Sequence, residues 1–233
     1  MVARIRLVAA LEILACSGLP TQLTIAAALS LVGIRPYDAG GRLDGSYVFA
    51  VSLLDAAVIV GLAAWFLRSH GERFSDVMFG RRPGPLEVAH GALHVPVVFL
   101  IAVAVMLALQ RLAPWMHNVA TNPFQGLIQD RGDAAMFALV AIVGGGVREE
   151  VQRAFILSRF ERHLGGGRVG LAISSLGFGL GHVIQGRDVA VTTAVLGAFW
   201  GLVYLKRRSI VAPVVSHSGF NAAEIFRYTF YGV

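Results

Sequence analysis

The sequence predicts an all-α membrane protein, a bundle of about seven transmembrane helices. Of its 233 residues, 56% are hydrophobic and only 15% are charged, and the mean hydropathy is +0.67. A soluble domain carries about 25% charged residues, and a helix needs about 20 apolar residues to cross the hydrocarbon core. Seven stretches approach that length: Leu7–Gly33, Tyr47–Leu67, Ala89–Gln110, Ala134–Leu157, Val169–Gly186, Val189–Leu205 and Ile210–Phe230.

The first three stretches and their interfacial loops make up an N-terminal part, residues 1–133. The first stretch follows Arg4 and Arg6, as in a signal peptide, but its apolar run exceeds the usual 7–15 residues, so we predict a span. It contains the single cysteine, Cys16, which we interpret as an apolar filler. The last four stretches make up residues 134–233. Because the loops are short, both parts are expected to form one continuous membrane domain.

The basic residues are distributed by loop and form no single patch, which argues against nucleic acid as a partner. Alternate loops hold twelve of the 20 Lys and Arg residues, the loops on the other side hold six, and two lie within a span. Lys and Arg favour the cytoplasmic side. We therefore expect a multi-pass protein of the bacterial cytoplasmic membrane, with its N-terminus in the cytoplasm and its C-terminus outside. The twelve are Arg4, Arg6, Arg68, Arg73, Arg81, Arg82, Arg159, Arg162, Arg168, Lys206, Arg207 and Arg208.

Charged and polar residues within the spans cluster in three short motifs. A charge at the bilayer centre costs about 2.5–3.5 kcal/mol on insertion scales, so these positions are informative. Residues four apart share a helix face, so Glu149 is expected to pair with Arg153, and the motifs are expected to face a common interior. Glu12 and Asp55 are isolated in other spans and are predicted to make structural contacts. The motif residues are Arg148, Glu149, Glu150 and Arg153, then Phe178 and His182, then His217 and Asn221.

These residue types favour hydrolysis of an amide bond. A carboxylate and two imidazoles can hold a water molecule directly, or can bind zinc as a His₂Glu site with an open position for water. An asparagine amide can donate a hydrogen bond to the developing oxyanion. The structural alternatives are an ion-pair network for the glutamates and hydrogen-bonded packing for the histidines. Three such motifs in one small chain favour the functional interpretation.

The three motifs resemble those of the CPBP family, the CAAX proteases and bacteriocin-processing enzymes, also called Abi. They are Glu149-Glu150 followed by an arginine, Phe178-x-x-x-His182, and His217-x-x-x-Asn221. They occur in the family's order on separate predicted spans. The resemblance implies an intramembrane endopeptidase whose catalytic core is residues 134–233. It places the active site on the last four helices.

The resemblance also implies a role for each motif residue. Glu149 and His182 activate water, while His217 and Asn221 bind the oxyanion, with Glu150 beside them. In a metal-dependent version, Glu149, His182 and His217 bind a divalent metal such as zinc; in the other version no cofactor is needed. Arg148, Arg153 and Phe178 support the site.

One position departs from the family pattern, in which the arginine follows the glutamate pair after three residues. Here Arg153 follows after two, and Ala154 stands at the expected position. The departure leaves open which glutamate is the base. Arg148 is then an alternative source of the positive charge.

The expected substrate is a peptide or protein segment that reaches the site from the membrane, including prenylated or hydrophobic CAAX-type tails. Two non-catalytic functions are also compatible with the sequence. One is a scaffold or immunity protein that kept the fold, and the other is a proton-coupled transporter. The sequence shows no pair of related halves, which many transporters have, and it retains every catalytic residue type.

Overall fold

Helices make up most of the structure, which confirms the all-α prediction. The computed structural model describes residues 2–38, 40–128 and 130–231, and these ranges contain no strand beyond one isolated bridge between Tyr37 and Leu43. The helices are α1 (Val2–Ala15), α2 (Leu19–Leu31), α3 (Gly45–Ser69), α4 (Phe74–Met78), α5 (Gly84–Leu112), α6 (Arg131–Val140), α7 (Glu149–His163), α8 (Gly167–Gly181), α9 (Arg187–Arg207) and α10 (Val211–Tyr231). A π-helical segment, Ala141–Arg148, joins α6 to α7.

The first predicted span is broken, so the prediction of one helix over Leu7–Gly33 was wrong. The chain turns at Gly18, whose φ of 90° lies in the left-handed region that favours glycine. The resulting helices α1 and α2 have 14 and 13 residues, or about 20 Å each. Neither crosses a hydrocarbon core of about 30 Å alone.

Three of the helices in the described ranges are long and apolar enough to cross a membrane: α3, α5 and α9. Asp44 caps α3, where its Oδ1 accepts a hydrogen bond of 2.8 Å from the backbone N–H of Tyr47. The fourth predicted stretch lies inside the continuous helical run from α6 to α7. The fifth ends earlier than predicted, because α8 stops at Gly181 and His182 follows its last turn.

Helix α7 lies at the centre of the bundle, although it is rich in charged residues. Apart from Gln152, every residue from Glu150 to Phe160 is buried. Its apolar side chains pack with residues of α3, α4 and α9 in the largest core cluster. Large apolar side chains of α1 and α5 are exposed on the outside of the bundle. This arrangement suits a lipid environment, in which exposed apolar faces carry no penalty.

Ion pairs join the loops at one end of the bundle. Arg207 binds Glu87 through two hydrogen bonds of 2.9 and 2.7 Å, and Arg162 lies 3.0 Å from Glu72. These loops are on one side in the predicted topology. At the other end, Nδ1 of His117 lies 2.7 Å from Oδ2 of Asp188. The contacts agree with the predicted alternation of loops, while the orientation of the termini remains a prediction.

Close packing of α5 on α10 depends on Gly91. A Cβ added there would lie 2.5 Å from Cβ of Val215 and 2.8 Å from the carbonyl oxygen of Ala212. Gly91→Ala is therefore expected to push the two helices apart and to lower the thermal unfolding temperature in detergent by several degrees. Gly61→Ala on α3 is the control, because nothing lies within 4 Å of its added Cβ. Equal effects of the two substitutions would contradict this packing.

Candidate active site

The π-helical segment carries three glycines, and they allow α10 to approach closely. A Cβ at Gly145 would lie 2.5 Å from Nδ2 of Asn221 and 4.0 Å from Nε2 of His217, and a Cβ at Gly146 would overlap Oγ of Ser218. Asp130 caps the helical run, where its Oδ1 accepts from the N–H of Gly132 at 2.7 Å. The cap and the glycines bring the third motif against the start of α7.

Glu150 is the buried partner of two motif residues. Its side chain is 1% exposed, forms an ion pair with Arg153, and lies with Oε1 2.9 Å from Nδ1 of His217. The predicted pairing of Arg153 with Glu149 was therefore wrong. On a helix both i+3 and i+4 partners are within reach, and Arg153 lies on the face that is buried with Glu150. Arg153 therefore forms its ion pair with the second glutamate, Glu150, even though its spacing departs from the family pattern.

Glu149 points to another side of the helix and is more accessible. Its Oε2 lies 3.8 Å from Nε2 of His217, and its Oε1 lies 3.9 Å from Nη1 of Arg148. The Glu149 side chain is 18% exposed, whereas that of Glu150 is 1% exposed. The two adjacent carboxylates therefore occupy different environments. Glu149 lines a cavity.

Asp55 is the partner of Arg148, and it was interpreted from the sequence as an isolated residue. Its Oδ2 lies 2.6 Å from Nη2 of Arg148. Thr21 donates a hydrogen bond to Oδ1 of Asp55, and Gln22 donates to Oδ2 at 3.3 Å. The two N-terminal helices α2 and α3 therefore hold the arginine that lies beside Glu149.

Aromatic rings fix the orientation of the site histidines. The ring of His217 stacks on Trp200 with centroids 3.8 Å apart and planes 14° apart. Phe178 meets His217 edge-on at 6.1 Å and His182 at 4.8 Å, so it stands next to both imidazoles. The guanidinium of Arg153 lies 4.7 Å from the Phe178 centroid, within the range of a cation–π interaction.

His182 and Asn221 also lie at this cluster, but they make contacts of their own. Nδ1 of His182 donates to the carbonyl oxygen of Phe178 at 2.8 Å. Within the described residues, no hydrogen bond or ion pair joins His182 to Glu149 or His217. Asn221 donates from Nδ2 to the carbonyl oxygen of Ala141 at 3.2 Å. Glu224, one helical turn further along, pairs with Arg227 at 2.9 Å.

A cavity of about 180 Å³ opens beside Glu149. It lies between α2, α3, α6 and the π-helical segment. Its lining is partly polar, and it also exposes backbone at Gly144 and Gly145. The lining residues are Gln22, Ser52, Asp55, Phe137, Val140, Ala141, Gly144, Gly145, Arg148 and Glu149.

The metal-ligand set of Glu149, His182 and His217 remains a prediction. Among the described residues, no group of three or more His, Cys, Asp or Glu side chains is placed to hold one metal ion. His182 and His217 both contact the ring of Phe178.

The fold and this cluster define a helical membrane protein with a carboxylate, imidazole and amide site. Residues 131–223, about two fifths of the chain, match the family model described as type II CAAX prenyl endopeptidase Rce1-like. This segment is similar to that family, in agreement with the resemblance to CPBP proteins, and it contains all three motifs. At the level of the family, the match supports a membrane-embedded protease of the CAAX type. No curated protein and no solved structure matches the chain.

Sequence reasoning missed the contributions of residues outside the matched segment. Glu12 is 5% exposed and lies 3.0 Å from Nε of Arg159 and 2.6 Å from His70, so it makes the structural contacts that were predicted, with partners that the sequence did not indicate. Asp55 is 2% exposed and binds Arg148. The available signal was that each charge lies within an apolar stretch, and a buried charge requires a partner.

Removal of the Asp55 charge is expected to destabilise the protein strongly. Asp55→Asn leaves the buried guanidinium of Arg148 without its 2.6 Å partner, and loss of one member of a buried pair costs about 3–5 kcal/mol of unfolding free energy. The measurement is thermal or denaturant unfolding in detergent. Asp38→Asn is the control, because it removes the same charge from an exposed pair with Arg42. A similar effect of both substitutions would show that Asp55 does not hold Arg148.

Proposed function

We propose that the chain is an intramembrane endopeptidase that hydrolyses peptide bonds in membrane-associated or lipidated proteins of the CAAX type. The observation that carries the proposal is the arrangement of Glu149 on the cavity. Its Oε2 lies 3.8 Å from Nε2 of His217, and the other nitrogen of that imidazole is held by Glu150.

The contact with Glu150 determines which nitrogen of His217 carries the proton. The carboxylate of Glu150 is an acceptor, so the hydrogen between them belongs to Nδ1. In the neutral ring Nε2 is then an acceptor that faces the Glu149 carboxylate. Two acceptors 3.8 Å apart suit one bridging water molecule, which donates one hydrogen to each. The remaining lone pairs of that water are available to a substrate carbonyl.

The proposed reaction follows from this arrangement. The water oxygen attacks the carbonyl carbon of the scissile bond, and Glu149 takes the proton as general base. The carbonyl oxygen becomes an oxyanion in the tetrahedral intermediate. Collapse of the intermediate breaks the C–N bond, and the proton passes to the departing amine. Hydrolysis thus yields a carboxylic acid and an amine, with Glu149 ionised again.

Asn221 and His182 complete the proposed site. Asn221 holds one amide hydrogen on Ala141 and has a second available for the oxyanion. His182 donates from Nδ1 to Phe178, which leaves Nε2 to accept a hydrogen bond from the N–H of the departing amine, while the proton that the amine gains comes from Glu149. This proposal assigns His217 to the water, whereas the resemblance assigned His182 to it. The reason is the 3.8 Å distance between Nε2 of His217 and Oε2 of Glu149.

The substrate class rests on two observations. The cavity lies between helices whose outer faces are apolar, so a hydrophobic or prenylated segment can reach it through the membrane. The matched family is described as a CAAX prenyl endopeptidase. We therefore propose cleavage close to a lipidated cysteine.

Glu149→Gln is expected to reduce kcat by about 10²–10⁴-fold, because it removes the general base while keeping the shape of the side chain. The assay uses purified protein in nanodiscs and a fluorogenic peptide with a prenylated cysteine three residues before its C-terminus. The control is Glu161→Gln, which removes the same charge from the same helix at an exposed pair with Arg208.

The outcomes separate the alternatives. Loss of cleavage in Glu149→Gln with full activity in Glu161→Gln supports the proposal, and the same peptide without its prenyl group tests the substrate class. Cleavage that is abolished by a chelator and restored by zinc would favour metal dependence over a glutamate-activated water. Equal cleavage by wild type and Glu149→Gln would refute the base, and no cleavage by wild type would favour a scaffold or a transporter.

Asn221→Ala is expected to lower kcat by about 10²–10³-fold with little change in KM, because an oxyanion donor acts mainly in the transition state. Steady-state kinetics with the same peptide measure both constants. The control is Glu224→Ala, one helical turn further along α10. An increase in KM at unchanged kcat would place Asn221 in substrate binding and contradict the oxyanion role.

A further inference from the structure

The face of α1 that packs on α7 continues beyond the end of α7. Val2, Ile5, Ala9 and Glu12 follow the helical spacing of one face. Ala9 and Glu12 are buried, and Glu12 reaches Arg159 on α7. Val2 and Ile5, one to two turns earlier, are 63% and 43% exposed.

The two helices run in opposite directions, and this places Val2 and Ile5 past the last turn of α7. Gln152 near the start of α7 donates to the carbonyl oxygen of Cys16, just after α1, at 2.6 Å. Arg159, two turns later, meets Glu12. Because α7 ends at His163, Arg162 and His163 of its last turn are the α7 residues next to the first turns of α1.

A cavity lies between the first turns of α1 and the end of α7. Its volume is about 190 Å³, more than ten times the 10–15 Å³ that admits one water molecule. Two apolar side chains, Val2 and Ile5, form one part of the lining. Three basic side chains form the rest: Arg6, Arg162 and His163.

The positive charge in this cavity is not neutralised by the surrounding carboxylates. Glu12 and Glu72 are both engaged by Arg159, and Glu72 also lies 3.0 Å from Arg162. The negative charges of Glu12 and Glu72 therefore offset the positive charges of Arg159 and Arg162. Arg6 makes no ion pair with any carboxylate in the described ranges. The cavity therefore retains the charge of Arg6, together with any charge on His163.

The wider charge distribution has the same sign. The predicted cytoplasmic side of the protein contains twelve Lys and Arg residues and only five acidic residues. Such a surface attracts anionic lipids, which are concentrated in the cytoplasmic leaflet. The five acidic residues are Glu12, Glu72, Asp76, Glu87 and Glu161.

We propose that the cavity between the first turn of α1 and the end of α7 binds the phosphate of an anionic phospholipid. Arg6 and Arg162 contact the phosphate, since guanidinium groups match its oxygens in geometry and charge. Val2 and Ile5 line the side on which the glycerol and acyl chains leave. The site is separate from the proposed catalytic cluster and does not depend on it.

The experiment compares Arg6→Gln with Arg4→Gln in the full-length protein. Arg4 is also exposed and lies two residues away on the same helix, but it does not line the cavity. The protein is purified in a neutral detergent and titrated with phosphatidylglycerol, and native mass spectrometry measures the apparent Kd. Phosphatidylcholine with the same acyl chains and soluble glycerol 3-phosphate are titrated in parallel.

The wild type is expected to bind phosphatidylglycerol more tightly than phosphatidylcholine. Arg6→Gln is expected to raise the Kd for phosphatidylglycerol about fivefold, and Arg4→Gln less than twofold. Equal losses in the two variants would show diffuse attraction and overturn the site. Equal affinity for phosphatidylcholine would overturn the anionic specificity. Binding of glycerol 3-phosphate as tight as that of the lipid would identify a soluble phosphate ligand and overturn the lipid assignment.

Discussion

The burial of charged side chains on α7 is the constraint on which the rest of the structure depends. Glu150, Arg153 and Arg159 are each less than 5% exposed. A buried ion without a partner costs several kcal/mol, so each one must be met by a group of opposite charge or a hydrogen-bonding group. Glu150 and Arg153 pair with each other, and the remaining partners are Glu12 on α1, Glu72 in the loop before α4 and His217 on α10. The position of the neighbouring helices around α7 follows from this requirement as much as from apolar packing.

The same pairings prepare the proposed chemistry. Glu150 is committed to Arg153 and His217, so it fixes the imidazole and is not free to act as a base. Glu149, one residue earlier, points to the cavity and keeps its carboxylate accessible. Two adjacent residues of one type therefore take different roles because a helix separates neighbouring side chains by about 100°. The buried glutamate positions the histidine, and the accessible glutamate faces the substrate.

The structure brings several of the motif residues together but pairs them differently from the sequence prediction. Motifs on separate helices were expected to meet because polar residues turn away from lipid, and Glu149, Glu150, His217 and Asn221 lie together in the structure. The prediction that Arg153 pairs with Glu149 was wrong. Partners three and four residues away are both within reach on a helix, and Arg153 pairs with Glu150 because the two side chains are buried on the same face. His182 could not be placed in detail, since it follows the last turn of α8 and its orientation depends on Phe178.

The sequence by itself determined the helical class, the membrane environment and the three motifs with their family resemblance. These properties depend on composition, on the length of apolar runs and on local spacing, all of which can be read along the chain. Only the tertiary structure decided that Asp55 holds Arg148, that Glu12 holds Arg159, and that the first apolar run is broken at Gly18. These features join residues far apart in sequence, and a buried charge indicates that it has a partner without indicating which residue the fold brings to it.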